Sequence, residues 1–201
     1  MNDSSIGLST NWKKQGIERS ALCVCTKGGF IPEDPADGRP FDRYIRDTYL
    51  AEGLIGMREA VRRHTMNPAY IRKSFAQSCA NLGLEHIDIY YLHNPERAKS
   101  IMEESAFYAA LRENFVFLEE QVAAGKIGQY GVATWQGLLV DQSSTEYLDL
   151  EQIVTLAREA GGSEHHLKVI QVPFNIGDMS ALQKKNQRVA GQDMSVFEAA
   201  E

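Results

Sequence analysis

The amino-acid sequence predicts an α/β fold in which parallel strands alternate with helices. Apolar runs rich in β-branched and aromatic residues recur along the chain, and segments with apolar residues at helical spacing separate them. Strand and helix alternate four times, with no internal repeat and no low-complexity linker. This alternation favours parallel strands with right-handed helical connections, which build either a (β/α) barrel or an open, doubly wound sheet.

The run at residues 87–95, IDIYYLHNP, is the strongest strand signal in the chain. Successive side chains of a strand point to opposite faces of its sheet. One face of this run therefore carries Ile87, Ile89, Tyr91 and His93. Both faces are largely apolar, which is typical of a strand covered on two sides in a parallel sheet. We therefore expect a buried strand that ends in an imidazole at the edge of the sheet.

The remaining elements are predicted by the same patterns. Residues 67–84 carry apolar or small side chains at helical spacing, and Asn67-Pro68 and Gly83 are typical of the two ends of a helix. The stripe consists of Ile71, Phe75, Ser78, Cys79 and Leu82. Further predictions are a helix remnant over residues 8–19, strands over 21–25, 126–135 and 167–174, helices over 103–124 and 149–160, and a helical start over 195–201. Residues 31–66 are predicted to form a surface excursion with one or two helical turns near residues 47–63.

Composition and charge argue against several classes of partner. The 201 residues suffice for one sizeable core, so we expect a single domain over residues 1–201. No apolar stretch reaches the roughly 18 residues of a transmembrane helix, and the N-terminus lacks the order of a signal peptide. These observations predict no membrane partner and a cytoplasmic location. A net charge of −6 with scattered basic residues argues against nucleic acid as a partner.

The three cysteines are an odd number, and Cys23 and Cys25 lie too close together on one strand face to suggest a disulfide framework. We expect them to be buried as small hydrophobic residues in a reducing compartment. No pair of cysteines or histidines has the spacing of a metal centre, so no metal site is predicted.

Polar residues at the ends of the predicted strands favour the barrel over the open sheet. In a barrel, reactive residues come from the carboxyl ends of several strands. Such positions are held here by Lys27, His93, Thr134 and Asn175. An open nucleotide-binding sheet would more often show a glycine-rich fingerprint after its first strand, and Gly28-Gly29 is not that fingerprint.

Lys27 and His93 are the candidate catalytic residues, since a lysine and a histidine at matching strand ends can together polarise a carbonyl oxygen. Taken singly, each has a plainer interpretation, as a solvated lysine or a core histidine. Gln171 lies inside an otherwise apolar strand and requires a hydrogen-bonding partner, either protein or ligand. Trp135 is expected to pack rather than to stack on a ligand.

Four segments in this order and spacing resemble the aldo-keto reductases. They are TKGG at a strand end, SFAQSCANLGLEHIDIYYLHNP, LEEQVAAGKIGQYGVATW and VIQVPFN. The resemblance implies an α/β fold of the (β/α)8 TIM-barrel type, present in part as roughly strands three to six with their helices. It also implies hydride transfer between NADPH and the carbonyl or alcohol group of a small molecule.

The resemblance assigns roles to individual residues. Lys27 matches the family's catalytic lysine, His93 its catalytic histidine, and Gln171 a glutamine that contacts the nicotinamide amide. Ala133-Thr134 stands where the family has a Ser-Asn pair, so the Thr134 hydroxyl is expected to replace that cofactor contact in part. The family's aspartate and proton-donating tyrosine precede the lysine strand, and its cofactor-phosphate strands come later. We therefore expect a truncated chain, inactive alone.

Two other functions stay open at this point. A non-catalytic binding or subunit module can keep a barrel scaffold, because fold alone does not fix function. A different barrel enzyme, in which Lys27 forms a Schiff base with a carbonyl substrate, is the third possibility.

Overall fold

The computed structural model describes residues 14–34 and 37–201. Its centre is a four-stranded parallel sheet whose spatial order follows the chain. The strands are β1 (Cys25–Gly28), β2 (Ile87–His93), β3 (Ile127–Ala133) and β4 (Leu167–Gln171). Consecutive strands are neighbours and none reverses the order, which is the topology of part of a (β/α) barrel rather than of a doubly wound sheet. The predicted α/β class and partial barrel are confirmed.

Helices connect the strands and continue beyond them. They are α1 (Phe41–Ile45), α2 (Met57–Arg62), α3 (Pro68–Leu82), α4 (Pro95–Lys99), α5 (Glu104–Ala123), α6 (Leu150–Gly161), α7 (Ser180–Gln183) and α8 (Val196–Ala199). A π-helical turn, Arg46–Leu50, continues α1, and Arg19–Ala21 forms a 3-10 turn. A small antiparallel hairpin consists of β5 (Gln187–Val189) and β6 (Gln192–Met194). None of the helices in the described ranges is both long and apolar enough to cross a membrane.

The ends of the long helices follow from local chemistry. The Asn67 side chain accepts a hydrogen bond from the Ala69 N–H at 2.9 Å, and Gly83 closes α3 with a φ of 60°. The Asp149 carboxylate accepts the Gln152 N–H at 3.0 Å at the start of α6. The helices predicted over residues 67–84, 103–124 and 149–160 are therefore confirmed, to within about two residues at each end.

The core lies between the outer face of the sheet and the helices. Phe75 of α3 packs edge-on against Tyr90 of β2, with ring centroids 5.2 Å apart. Phe115 of α5 packs on Tyr130 of β3, with ring centroids 5.4 Å apart. All four rings are buried. Because burying a large side chain contributes about 1.5–3 kcal/mol, these contacts between helix and strand hold the layers together.

The other face of the sheet, here called the inner face, is open by comparison. The register places the following side chains on it: Cys25, Lys27, Ile89, Tyr91, His93, Gln129, Val169 and Gln171. All of these are exposed or half-buried, whereas Ile87, Ile127 and Ala133 on the same face are buried. Strand β2, which was predicted to be covered on both sides, is buried at Tyr90 and Leu92 on its outer face and at Ile87 where its inner face begins. Its other inner-face residues, Ile89, Tyr91 and His93, are half-buried.

The prediction that the cysteines are buried was wrong. Cys23 and Cys25 are exposed free thiols, and Cys79 on α3 is a half-buried free thiol. The reason is that β1 is an edge strand and carries Cys25 on the open inner face. The strand itself begins at Cys25 rather than Ala21, because only residues 25–28 pair with β2, opposite Ile89 to Leu92.

Three further expectations need correction. Residues 31–66 are more than a surface excursion, since Ile31, Ile45, Tyr49, Ile55 and Met66 all join the core. The fourth strand is shorter than predicted, and the hairpin β5–β6 was missed because its short strands lack an apolar alternation. Of the helix remnant predicted over residues 8–19, residues 8–13 lie outside the described ranges.

Gly131 provides a test of the packing between β3 and β4. A Cβ atom at this position would collide with the backbone carbonyl oxygen of Val169, so we expect Gly131→Ala to push the two strands apart. The free energy of unfolding, measured by urea denaturation, should fall by about 2 kcal/mol or more. Gly56→Ala is the matched control, because its nearest neighbour would be 3.6 Å away. Equal stability of the two variants would contradict this account.

Candidate active site

The carboxyl ends of the four strands surround a cleft of about 250 Å³. Parallel strands end at the same edge of their sheet, so residues distant in sequence meet there. The lining residues are Lys27, His93, Asn94, Ala133, Thr134, Trp135, Gln171, Val172 and Pro173. The four residues that sequence analysis selected as catalytic or cofactor-binding are all among them. Asn175, the other predicted strand-end residue, lines an adjoining depression instead.

Lys27 brings a positive charge to the cleft. Its ammonium group lies over the Tyr91 ring, 5.6 Å from the ring centroid, and the side chain is exposed. Among the described residues it forms neither a hydrogen bond nor an ion pair, so its three N–H donors are available to a ligand. A cation–π contact of this kind restrains the lysine without neutralising its charge.

His93 is half-buried at the end of β2, between two other rings. The His64 ring lies 5.4 Å away and the Phe30 ring 6.3 Å away, measured between centroids. Burial is the main cause that lowers the pKa of His93 to about 4, and the nearby His64 and Lys27 contribute to the same shift. The imidazole is therefore neutral at neutral pH, with one nitrogen able to donate a hydrogen bond and the other able to accept one.

His64 supports His93, and sequence analysis did not identify it. Its Nδ1 lies 3.0 Å from the Arg62 carbonyl oxygen, which only accepts, so Nδ1 carries the proton. Its Nε2 then accepts the long 3.5 Å contact from Asn94 Nδ2. Asn94 in turn donates its backbone N–H to the Ala133 carbonyl oxygen at 2.6 Å. This chain of contacts links the residue after β2 to β3 and fixes the surroundings of the His93 ring.

Thr134 is buried, and its hydroxyl oxygen accepts the Gly137 N–H at 2.8 Å. The same hydroxyl contacts the buried Glu96 carboxyl, whose Oε1 also accepts the Trp135 N–H at 3.0 Å. Burial raises the pKa of Glu96, and these hydrogen bonds oppose that rise. The Thr134 hydroxyl thus already stabilises the loop after β3. Glu96, which sequence analysis also missed, organises that loop from α4.

Gln171 ends β4, and its backbone carbonyl oxygen accepts the Thr134 N–H at 2.9 Å. The side chain is exposed, not interior as predicted, and its amide forms no hydrogen bond with any described residue. Trp135, which was expected to pack, is 62% exposed at the rim of the cleft. Both side chains are therefore accessible to a ligand.

The tyrosines of the described residues lie outside the lining of this cleft. Tyr91 is on the inner face beside Lys27, and Tyr90 is fully buried on the outer face against the helices. Tyr44 and Tyr49 contact each other in the segment before α2, with ring centroids 5.8 Å apart. The lining of the cleft, as far as the described residues form it, contains no tyrosine.

Comparison with known proteins gives matches of two kinds, to solved structures and to a family model. The chain is similar to a solved structure described as a "putative 2,5-diketo-D-gluconic acid reductase B", at 19% sequence identity and a TM-score of 0.41. The similarity covers 85% of this chain and 40% of that protein, so this chain spans about two fifths of its length. No curated protein matches.

The second match is to a family model and covers a large part of the sequence. The model of the aldo/keto reductase family matches residues 9–154, which is more than half of the 201 residues and includes Lys27, His93 and Thr134. The chain therefore belongs to the aldo/keto reductase family.

Proposed function

We propose that the protein is an oxidoreductase that transfers hydride between NADPH and the carbonyl group of a small aldehyde or ketone, or the reverse from an alcohol. The observation that carries this proposal is the convergence of Lys27, His93 and Gln171 on one cleft at the ends of three parallel strands. Family membership supports the same reaction class.

Lys27 and His93 would act on the carbonyl oxygen. Hydride addition to a carbonyl carbon develops negative charge on oxygen, which a nearby ammonium group stabilises. A neutral imidazole can donate a hydrogen bond to that oxygen and orient it, and the lowered pKa of His93 suits this role better than proton release by an imidazolium. The contacts of His93 with Phe30 and His64 would hold the ring in place.

The residues present fit a nicotinamide cofactor in part. When bound, the cofactor would supply the hydride. The free amide of Gln171 can both donate and accept hydrogen bonds, which matches the carboxamide of a nicotinamide ring. Thr134 fits less well through its side chain, since its hydroxyl is engaged by Gly137 and Glu96. The preference for NADPH over NADH rests on the family resemblance.

The cytoplasm is the proposed location, because three free cysteines suit a reducing compartment. A single domain over residues 1–201 is also proposed. One hydrophobic core joins the sheet to the long helices and reaches Val196 of α8, which is typical of one domain.

A second candidate function is a binding or subunit module that holds the cofactor without turnover. The observation that favours it is the lining of the cleft, in which the described residues place no tyrosine to donate a proton. Lys27 is exposed and its ammonium is strongly hydrated, so it is a poor substitute for that donor.

Cofactor binding by the whole chain is the first test. NADPH titration should change the fluorescence of Trp135 at the cleft rim, and Gln171→Ala should weaken binding about three- to tenfold through loss of the amide hydrogen bonds. Gln183→Ala, an exposed glutamine on α7, is the matched control. Absence of NADPH binding, or equal affinities for the two variants, would count against the cofactor role of this cleft.

Turnover separates the two candidate functions. If the chain reduces small aldehydes, Lys27→Met should lower kcat/KM about 100-fold or more, because the charge that stabilises the oxyanion is lost. Lys168→Met removes an exposed lysine from β4 and should leave the rate unchanged. NADPH oxidation followed by absorbance provides the measurement. Binding of NADPH without oxidation would favour the non-catalytic module.

The protonation of His93 gives a third test. Its pKa of about 4 in the folded chain lies below the roughly 6.5 of an unfolded histidine. On acidification, the His93 imidazole is protonated in the unfolded chain before it is protonated in the folded chain. The free energy of unfolding therefore keeps the contribution of His93 at neutral pH and loses it as the pH falls from about 6.5 to about 4. NMR titration of the imidazole should give a midpoint well below 6, also in Lys27→Met, because burial is the main cause. A midpoint near 6.5 would refute the neutral, half-buried imidazole.

A further inference from the structure

The pair formed by Cys23 and Cys25 lies outside the proposed active site. Their sulfur atoms are 3.8 Å apart, and both residues are exposed. Cys25 lies on the inner face of the sheet opposite Ile89, one step of the strand alternation below Lys27. The third cysteine, Cys79, belongs to α3 and is half-buried. Two accessible thiols therefore face the same direction at a fixed separation.

The distance between the two sulfur atoms suits two ligands of one metal ion better than a disulfide bond. An extended chain rises about 3.3 Å per residue, so the two Cα atoms lie about 6.6 Å apart, near the upper limit of roughly 6.8 Å for disulfides. The segment is held in this form because the Val24 carbonyl oxygen accepts the Asp88 N–H at 3.0 Å and Asp88 Oδ2 accepts the Val24 N–H at 2.7 Å. Closing the sulfur atoms to about 2.05 Å would require this segment to contract.

A tetrahedral metal ion needs no such contraction. Two thiolates that each lie about 2.3 Å from one tetrahedral zinc ion are separated by about 3.8 Å. The Cys23 and Cys25 sulfur atoms already have this separation, which is one edge of the coordination tetrahedron. Thiolates are also the ligands that soft and borderline metal ions prefer.

We propose that Cys23 and Cys25 chelate one thiophilic divalent ion of the zinc and cadmium class. No group of three or more histidine, cysteine or carboxylate side chains with metal-site geometry occurs in the described part of the chain. The pair thus supplies two ligands, and water or a small exogenous ligand fills the remaining positions. This site is independent of the proposed reductase function, because neither thiol lines the cleft.

Binding is an exchange of protons for metal without any redox change. A thiol must lose its proton before its sulfur can bind a metal ion as a thiolate. Two S–H bonds break, two sulfur–metal bonds form, and two protons pass to solvent for each ion that binds. Proton release is therefore a direct measure of thiolate ligation.

The test is a cadmium titration of the whole chain, reduced with a phosphine in place of a thiol. We expect one ion per chain, an ultraviolet sulfur-to-cadmium charge-transfer band and release of two protons per ion. Cys23→Ser and Cys25→Ser should each abolish the band, while Cys79→Ser should keep it. Serine has nearly the shape of cysteine and both sites are exposed, so circular dichroism should show that the variants stay folded.

Several outcomes would overturn the proposal. One is a band that persists in Cys23→Ser or disappears in Cys79→Ser. Another is half an ion per chain, which would mean that two copies share a four-thiolate ion instead of forming an open two-ligand site. Absence of cadmium binding to the folded chain would also overturn the proposal.

Discussion

The parallel backbone pairing of β1 to β4 is the constraint on which the rest of the molecule depends. The pairing continues beyond the strands, where Asn94 donates to Ala133 and Thr134 donates to the Gln171 carbonyl oxygen. These bonds hold the residues that follow each strand in a row, so side chains separated by dozens of residues in sequence share one cleft. Gly131 belongs to the same constraint, because only a residue without Cβ allows β3 and β4 to approach as they do. A disturbance of the register would therefore move the proposed catalytic residues apart.

The two proposed catalytic residues differ in charge because they differ in solvent access. Lys27 is on the edge strand β1, and its side chain is in contact with water. His93 is one strand further in, between aromatic rings, where burial favours the neutral imidazole. One sheet therefore presents a fixed cation and a neutral hydrogen-bonding ring within the same cleft. Such a combination suits a carbonyl oxygen that becomes negative during the reaction.

Much of the fold could be predicted because strand alternation and helix spacing are local properties of the sequence. The long helices and β2 needed only periodicity and their end residues, and the strand-end rule brought Lys27 and His93 together. The supporting residues could not be found this way. His64 lies in a segment without regular periodicity, and Glu96 acts through backbone groups after β3 that only the folded chain brings near. The exposure of Cys25 was missed for a related reason, since periodicity shows which face a residue occupies but not what covers that face.

The open inner face and the edge positions of β1 and β4 restrict how this sheet can grow. In the described part of the chain the sheet order begins with β1 and ends with β4, so any strand that joins it must pair at one of these two edges. Neighbouring strands keep their side-chain alternation in step. A strand added beside β1 would place its inward residues next to Cys25 and Lys27, and one added beside β4 would place them next to Gln171. The existing register thus already fixes which positions of an incoming strand can reach the cleft and which must face the helices.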